Sequence, residues 1–358
     1  MGRGSKCGHA ILSRYLTRAR VFRERLRALF DHERVTAPHK RGGRYFYTRN
    51  PGLNNQAALY VRDGAAGADH VLIDPNQWSE DGTTALAEWS ASKDGSHVAY
   101  AIQEGGTDWR TIRVLDVNTG RILEDEVQWA RFTQISWSKD GSGFFYSRYP
   151  EPDEGTAFEA SLAGHAIYFH TLGTPQAQDR LIHATPAQSN LVHISSVTDD
   201  GRYLMIYSTP GSSTVALSVA DLSTPDWAVR PLVENFDTEW GVIGNVGTKL
   251  FLMTTRDAEH RKIVTLDLAD PAPVFTDLVG EQEVVLNDAA LFGGRLLASY
   301  LVDAKAQVHR YKLDGTPDGV VELPGIGSAG GFLGNPEEPE SFFVFTSFDA
   351  PSRFTATT

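Results

Sequence analysis

The chain has 358 residues, of which 41% are hydrophobic and 22% charged, and its formal net charge is −12. This is an ordinary globular composition, and the length suffices for one large domain or two ordinary ones. The sequence has no run of about 18 apolar residues, which argues against a membrane span.

The first part of the chain is basic and the remainder is acidic. Residues 1–49 carry a charge balance of +10, whereas residues 50–358 carry −22. The acidic part argues against nucleic acid as a partner, because binding to phosphates needs the opposite sign. Residues 14–34 place apolar side chains at helical spacing, which predicts a helix; these are Tyr15, Leu16, Ala19, Phe22, Leu26, Leu29 and Phe30. Basic amphipathic helices can bind membranes or nucleic acid, but we favour packing on the chain's own acidic domain or on a missing one.

The N-terminal stretch MGRGSKCGHAILSRYL contains no apolar segment of the length that a secretory signal needs. Cys7 is the single cysteine, which excludes an intrachain disulfide and a cysteine-rich zinc site. We therefore expect a cytoplasmic protein with no membrane partner.

From residue 44 onward, short alternating strands are separated by turns. The letters SKDG occur twice, at 92–95 and 138–141, and Asp-Gly supports a tight hairpin because glycine accepts a positive φ. Related turns continue the series with intervals of 46, 60, 46 and 47 residues; their glycines are Gly95, Gly141, Gly201, Gly247 and Gly294. A period near 46 with about four strands per unit is typical of a β-propeller.

The sequence thus predicts an all-β, seven-bladed propeller with a short N-terminal helical segment. We divide the chain into a basic helical segment, residues 1–35, and a propeller domain, residues 36–358. The first blade is expected at 44–76 and the last, incomplete one at 326–358. The long interval contains the polar insertion YPEPDEGTAFEASLAGH, residues 149–165, which is expected to form a loop on one face.

The residues by themselves reveal no catalytic constellation. Ser328, in GIGSAGGF, has Ile326 two positions before it, so the stretch does not match the G-x-S-x-G nucleophile pattern. His165 and His170 are five residues apart, and we interpret them as a surface residue and a strand residue rather than as metal ligands. We therefore predict no catalytic residue, no metal and no cofactor.

Several stretches, in order, resemble the N-terminal propeller domain of the prolyl oligopeptidase family of serine peptidases. They lie at 25–63, 71–82, 92–120 and 131–150, and the stretch SFFVFTSFDAPSRFTATT at 341–358 is similar to a segment of the family's last blade. The resemblance covers about residues 15–358.

This resemblance implies an enzyme in which a seven-bladed propeller caps an α/β-hydrolase peptidase domain. That domain carries a Ser-Asp-His triad and cleaves short peptides after proline, and the propeller excludes folded proteins. This sequence stops inside the expected last blade, before any triad residue, so we expect the chain alone to be inactive. Its implied partners are the missing peptidase domain and proline-containing oligopeptides.

The resemblance also implies three substrate-binding or domain-interface residues. Asp108 and Trp109, in GGTDW, match a family segment near the substrate, and Phe132, in RFTQISW, matches a phenylalanine that lines the substrate's non-prime side. Alternatives remain open, since Asp108 can be a turn acid, Trp109 inter-blade core and Phe132 strand core. Thr209 stands at the position where the family can offer a basic residue to longer substrates. Trp137 is expected in a blade core.

Two other functions remain as alternatives. A free-standing propeller could bind a peptide or protein across one face, although an incomplete last blade would expose strand edges. A propeller enzyme of another class, such as a glycosidase, would need paired carboxylates near the axis, and no strand opening suggests them.

Overall fold

The computed structural model describes residues 18–105, 107–153, 162–334, 341–348 and 353–357. Within these ranges residues 18–30 form one α-helix, and nearly all other regular structure is antiparallel β-sheet. Three short 3-10 turns occur at Pro75–Gln77, Gln176–Gln178 and Pro186–Gln188.

The strands follow the chain in sheets of about four, which we call blades. Blade one contains β1 (Arg34–Val35), β2 (His39–Arg41), β3 (Arg44–Asn50), β4 (Ala58–Asp63) and β5 (Asp69–Ile73). Blade two contains β6 (Ala85–Ala91), β7 (His97–Gln103), β8 (Arg110–Asp116) and β9 (Arg121–Ala130). Blade three contains β10 (Ser136–Trp137), β11 (Gly143–Arg148), β12 (Ala166–Thr171) and β13 (Arg180–Ala184).

The second half of the chain repeats the arrangement. Blade four contains β14 (Val192–Val197), β15 (Tyr203–Thr209), β16 (Ala216–Asp221) and β17 (Val229–Val233). Blade five contains β18 (Trp240–Val246), β19 (Lys249–Thr254), β20 (Lys262–Asp267) and β21 (Thr276–Val279). Blade six contains β22 (Val285–Phe292), β23 (Arg295–Val302), β24 (Lys305–Lys312) and β25 (Pro317–Val321). Blade seven contains β26 (Ser328–Gly334), β27 (Ser341–Thr346) and β28 (Arg353–Thr357).

In the described part of the chain these sheets amount to seven blades, as the repeat predicted. Consecutive strands pair within each blade, except that β1 and β2 of blade one both pair with β3. A single pair, Ala130 with Arg148, joins blades two and three into one eight-stranded sheet. The predicted insertion at 149–165 connects β11 and β12, although residues 154–161 lie outside the described residues. The all-β propeller prediction is therefore confirmed.

The core lies between neighbouring blades. Strand β11 has the sequence GFFYSR and is buried along almost its whole length, because its two faces meet blades two and four. Trp137 is 3% exposed and packs on Phe144 with ring centres 5.5 Å apart, which confirms the blade-core prediction for this residue. Blades one and seven meet through the rings of Tyr45 and Phe342, whose centres lie 6.0 Å apart.

The repeated SKDG turns join the first and second strands of their blades. In the turn of blade two, the Ser92 hydroxyl donates to Asp94 Oδ1 at 2.6 Å and the Ser96 backbone N–H donates to the same atom at 3.0 Å. Gly95 has φ of 70°, which a side chain would disfavour. We call this end of the propeller the turn face. Because strands alternate in direction, the β7–β8, β9–β10 and β11–β12 connections lie at the opposite end, the loop face.

The helix at residues 18–30 is exposed along its whole length. Its apolar side chains Phe22, Leu29 and Phe30 are 69%, 56% and 60% exposed, so the propeller does not cover them. Packing on the chain's own acidic domain was one of our two expectations, and this exposure contradicts it. Tyr15 and Leu16 of the predicted helix lie outside the described residues. None of the described helices is long and apolar enough to cross a membrane.

Candidate functional site

Two connections on the loop face bring Asp108, Trp109 and Phe132 together through a fourth residue, Arg131. The Arg131 Nη2 donates to Asp108 Oδ2 at 2.6 Å. Its guanidinium carbon lies 5.3 Å from the ring centre of Trp109 and 5.1 Å from that of Phe132. Cation–π attraction and the carboxylate together hold the guanidinium in place. We call these four residues the Arg131 cluster.

Further aromatic rings support the cluster from below. Trp109 meets Trp129 and Tyr149 edge to face, with ring centres 5.7 and 6.2 Å apart, and Phe132 meets Tyr149 at 6.5 Å. Tyr149 is 2% exposed. Burial raises the pKa of Tyr149, while the Arg131 charge acts in the opposite direction, so its phenol stays neutral at physiological pH.

The outer surface of the cluster is accessible to a ligand. Phe132 is 42% exposed, and the Asp108 and Arg131 side chains are 61% and 17% exposed. The surface therefore presents an apolar ring beside a guanidinium and a carboxylate. Such a surface can pack against a proline ring and exchange hydrogen bonds with peptide groups, but it offers no nucleophile.

The structure decides part of what the sequence left open for these residues. Phe132 lies outside any strand and is exposed, so the strand-core alternative is wrong. Trp109 is half-buried, and its ring meets Trp129 of blade two and Tyr149 directly after β11, so it lies partly between blades two and three. The carboxylate of Asp108 pairs with Arg131. Their roles toward a substrate or a domain stay predictions.

Phe132 of the cluster and the supporting residue Trp129 have an unusual backbone conformation. Trp129 and Phe132 have φ of 62° and 49°, in the left-handed region that bulky side chains avoid. Each such residue costs roughly 1–2 kcal/mol. The strain persists only where surrounding contacts over-determine the conformation.

Arg131, Trp129 and Tyr149 were not predicted as site residues from the sequence. Arg131 immediately precedes Phe132, and Tyr149 ends the run GFFYSRY, so an aromatic-rich neighbourhood was visible. The pairing of Arg131 with Asp108 across 23 positions has no local signal.

His165 and His170, the two histidines that were weighed as metal ligands, are buried and hydrogen-bonded to groups of the protein. His165, expected at the surface, is only 1% exposed, and that expectation is wrong because the ring satisfies two backbone groups. Its Nε2 lies 2.8 Å from the Arg131 carbonyl, and its Nδ1 accepts the His193 N–H at 2.9 Å. Burial lowers the pKa of His165 to about 4. The described residues contain no group of three His, Cys, Asp or Glu side chains suited to a metal.

The other singled-out residues are structural. Ser328 begins β26 and pairs with Thr346 in a ladder, so it does not lie on a strand-to-helix turn. Thr209 ends β15, and its Oγ1 accepts the Gly211 N–H at 3.1 Å and the Ser212 N–H at 3.2 Å. A turn cap at this position supplies no charge to a ligand.

Comparisons with known proteins decide the family. The family described as prolyl oligopeptidase, N-terminal β-propeller domain, matches residues 5–357. The chain belongs to this family. The prolyl endopeptidase of Elizabethkingia meningoseptica is 36% identical to this propeller domain over 330 residues, which are 92% of this chain and 46% of that protein. Prolyl oligopeptidase A of Galerina marginata is 29% identical over 358 residues, covering 90% of this chain and 48% of that protein.

Solved structures agree with this assignment. A prolyl endopeptidase structure superposes on the propeller domain with a TM-score of 0.87 at 36% identity, covering 99% of this chain and 52% of that one. Prolyl oligopeptidase B of Galerina marginata superposes with a TM-score of 0.86 at 25% identity, covering 96% and 52%. The propeller domain thus spans about half the length of the relatives that it matches.

Proposed function

We propose that this propeller domain works as the access-limiting half of a serine peptidase that cleaves short peptides after proline. The observation that supports this most directly is the family match over residues 5–357. A peptidase domain and proline-containing oligopeptides would be its partners. An exposed serine nucleophile would attack any accessible loop, and a propeller placed over it would admit only short chains.

In this proposal the loop face is turned toward the peptidase domain and the bound peptide. Asp108, Trp109 and Phe132 would act as substrate-binding or domain-interface residues, with Arg131 between them. The convergence of all four side chains on one accessible surface supports this assignment. Phe132 would pack against apolar groups of the peptide, and the Asp108–Arg131 pair would form hydrogen bonds with its polar groups.

A fusion protein tests the proposed function. The full chain is joined after Thr358 to the part of the E. meningoseptica enzyme that lies beyond the matched region. We expect hydrolysis of a blocked Gly-Pro p-nitroanilide, inhibition by diisopropyl fluorophosphate, and no cleavage of a long unfolded polypeptide. The chain without the added half should not hydrolyse the nitroanilide.

The control is the same fusion with the nucleophilic serine of the added half changed to alanine. Loss of all turnover in that control would assign the activity to the serine mechanism. Equal cleavage of the nitroanilide and the long polypeptide would contradict the access-limiting role. A fusion that folds, by circular dichroism, and hydrolyses neither substrate would contradict the proposed function.

A second candidate is a peptide-binding propeller that acts without a peptidase domain. The 42% exposure of the Phe132 ring, beside a guanidinium held on aromatic rings, favours peptide binding by the chain itself. Titration of the full chain with a proline-rich decapeptide, followed by calorimetry, tests it. Binding that disappears in Phe132→Ala would support this candidate, and absence of binding would reject it.

We also propose a division of the chain and a location. The basic segment 1–35 and the propeller 36–358 would be separate units, since residues 18–30 are exposed throughout, although Arg34 and Val35 at the end of the segment pair with β3 of blade one. Deletion of residues 1–30 should then leave the urea midpoint of unfolding unchanged. The proposed compartment is the cytoplasm, which fractionation of the source cells would test.

A further inference from the structure

The connection from β9 of blade two to β10 of blade three leaves the β-ladder where it passes the Arg131 cluster. Ala130 pairs with Arg148, and pairing resumes where Ser136 meets Phe145. Five residues, 131–135, therefore lie opposite only two residues of β11, so this segment arches out of the ladder. We call residues 131–135 the arch. It carries both Arg131 and Phe132 of the cluster.

Three hydrogen bonds hold the arch at every second residue. The Arg131 carbonyl lies 2.8 Å from His165 Nε2, and the Ile135 N–H donates to Glu88 Oε1 at 2.6 Å. Between them, Thr133 Oγ1 accepts the Ser147 N–H at 2.8 Å. Each bond leads to a different strand or connection, so the arch is fixed from blade two and from blade three.

The hydrogen bonds of His165 define its tautomer. Its Nδ1 accepts the backbone N–H of His193, so Nδ1 carries no proton. The neutral ring must then carry its proton on Nε2, which donates to the Arg131 carbonyl. His165 is 1% exposed, and no other role for its buried donor is visible in the described residues.

Glu88 forms the second anchor, and its side chain is 20% exposed. One carboxylate oxygen accepts the Ile135 N–H, and the other lies 3.5 Å from Arg110 Nη1. Arg110 follows Trp109 directly and begins β8, so Glu88 connects the strand that positions Trp109 with Ile135, at the end of the arch that leads into β10. Glu88 thus supports both connections that carry the Arg131 cluster, β7–β8 and β9–β10.

We propose that His165 and Glu88 are positioning residues, which hold the arch so that Phe132 and Arg131 meet a peptide already in their binding conformation. This inference rests on the proposed function of the loop face. Phe132 has φ of 49°, and without its anchors the arch would relax toward conformations that bulky residues prefer. A binding-competent conformation that is only partly populated weakens apparent affinity by the same fraction.

A matched pair of substitutions separates positioning from packing. His165→Asn places its amide oxygen near the former Nδ1 and keeps the acceptor for His193, but it lacks the donor to the Arg131 carbonyl. His165→Gln reaches the carbonyl with its amide nitrogen and keeps that donor. Both replacements remove a buried imidazole, so a role in packing alone predicts similar effects for the two.

The first measurement uses the full chain alone, labelled with 5-fluorotryptophan, with the Trp109 resonance assigned by Trp109→Phe. We expect one sharp ¹⁹F line for Trp109 in the unsubstituted chain and in His165→Gln, and a shifted or broadened line in His165→Asn. Identical lines in all three proteins would show that His165 does not hold the arch and would overturn the proposal.

The second measurement uses the peptidase fusion and a blocked Gly-Pro p-nitroanilide. His165→Asn should raise KM about tenfold with little change in kcat, because it lowers the population of the binding conformation, and His165→Gln should restore most of the affinity. In a Phe132→Ala background, His165→Asn should add almost nothing, since it acts through Phe132. An equal, fully additive effect of His165→Asn in that background would overturn the proposal.

The two measurements distinguish failure of the inference from failure of the proposed function. A folded but inactive unsubstituted fusion would reject the proposed function, whereas the ¹⁹F line needs no activity and still decides whether His165 holds the arch. Glu88→Gln, which keeps the acceptor for Ile135, and Glu88→Ala, which removes it, give the same comparison at the other anchor. Equal ¹⁹F spectra for those two variants would remove Glu88 from the proposal.

Discussion

A buried histidine between two carboxylates offers a sharp test of how blades two and three are joined. His170 is fully buried at the end of β12. Its Nδ1 lies 2.7 Å from Asp179 Oδ1, and its Nε2 lies 3.1 Å from Asp125 Oδ1. The two carboxylate side chains are only 1% and 4% exposed. Carboxylates accept and do not donate, so both ring nitrogens must carry protons and the ring must be an imidazolium.

Substitution of this histidine by leucine leaves both carboxylates buried without their cation. Asp179 keeps the Tyr146 hydroxyl at 2.7 Å and Asp125 keeps the Gly173 N–H at 2.6 Å, but neither partner carries a charge. Breaking a buried ion pair from one side costs about 3–5 kcal/mol. We therefore expect His170→Leu to lower the free energy of unfolding by that amount near neutral pH.

The pH dependence of this loss has a definite sign. Burial alone would lower the pKa of His170, but hydrogen bonds and charge from Asp179 and Asp125 outweigh it and raise the pKa. A raised pKa in the folded state gives stability that is fully present below the unfolded value of about 6.5. That stability is lost as the pH rises through the folded pKa.

Urea unfolding at 25 °C, followed by tryptophan fluorescence at pH 6 and pH 9, measures both quantities. The difference between the unsubstituted chain and His170→Leu should be largest at pH 6 and smaller at pH 9. His70→Leu, at an exposed histidine of β5, is the control and should change the free energy by no more than about 0.5 kcal/mol. A loss below about 1 kcal/mol, or one that grows at pH 9, would refute the assignment of a buried imidazolium.

Two further predictions concern stability. Gly42→Ala should cost about 2 kcal/mol or more, because its Cβ would lie 1.7 Å from the Asp94 carbonyl oxygen and its φ is 55°. Gly43→Ala, with φ of 79° and no atom within 4 Å, should cost only about 1 kcal/mol, and equal urea midpoints for the two variants would contradict this. Burial lowers the pKa of His165 to about 4 and that of His193 to about 3. The free energy of unfolding should therefore fall as the pH drops below about 6.5, and it should fall less in His193→Gln than in the unsubstituted chain. Equal falls in the two proteins would contradict this prediction.

The repeat architecture could be predicted because its signal is local. Each Asp-Gly turn requires a positive φ, and Gly95, Gly141 and Gly201 have φ of 70°, 71° and 74°. Later turns keep the glycine without the aspartate. In blade five, Asn245 donates from its amide to the Gly247 carbonyl at 2.8 Å and also to Asp200 Oδ2 at 2.7 Å. The spacing of the glycines therefore predicted the blades even where the other residues of the turn differ from SKDG.

The candidate site could be predicted only in part. Asp108, Trp109 and Phe132 were named because short motifs carry the family resemblance, and no periodicity pointed to them. The residue that joins them, Arg131, was missed because its contacts depend on how two connections fold over one another. The left-handed conformation of Phe132 depends on His165 and Glu88, which lie 33 and 44 positions away.

Burial of polar side chains was the least predictable property. His165 is the last residue of the polar insertion and looks like a loop residue, yet its ring is hydrogen-bonded to the Arg131 carbonyl and the His193 N–H. His170 lies in an apolar strand, and its two carboxylate partners come from positions 45 residues before it and 9 after it. Such pairings follow from the packing of blades, which local sequence does not encode.

The most direct test of the central claim compares the peptidase fusion of the unsubstituted chain with its Phe132→Ala variant. The claim is that the loop face of this propeller domain meets the peptide that the peptidase half cleaves. We expect the fusion to hydrolyse a blocked Gly-Pro p-nitroanilide and Phe132→Ala to raise KM about tenfold at similar kcat. An active fusion whose kcat and KM do not change in Phe132→Ala would contradict the claim.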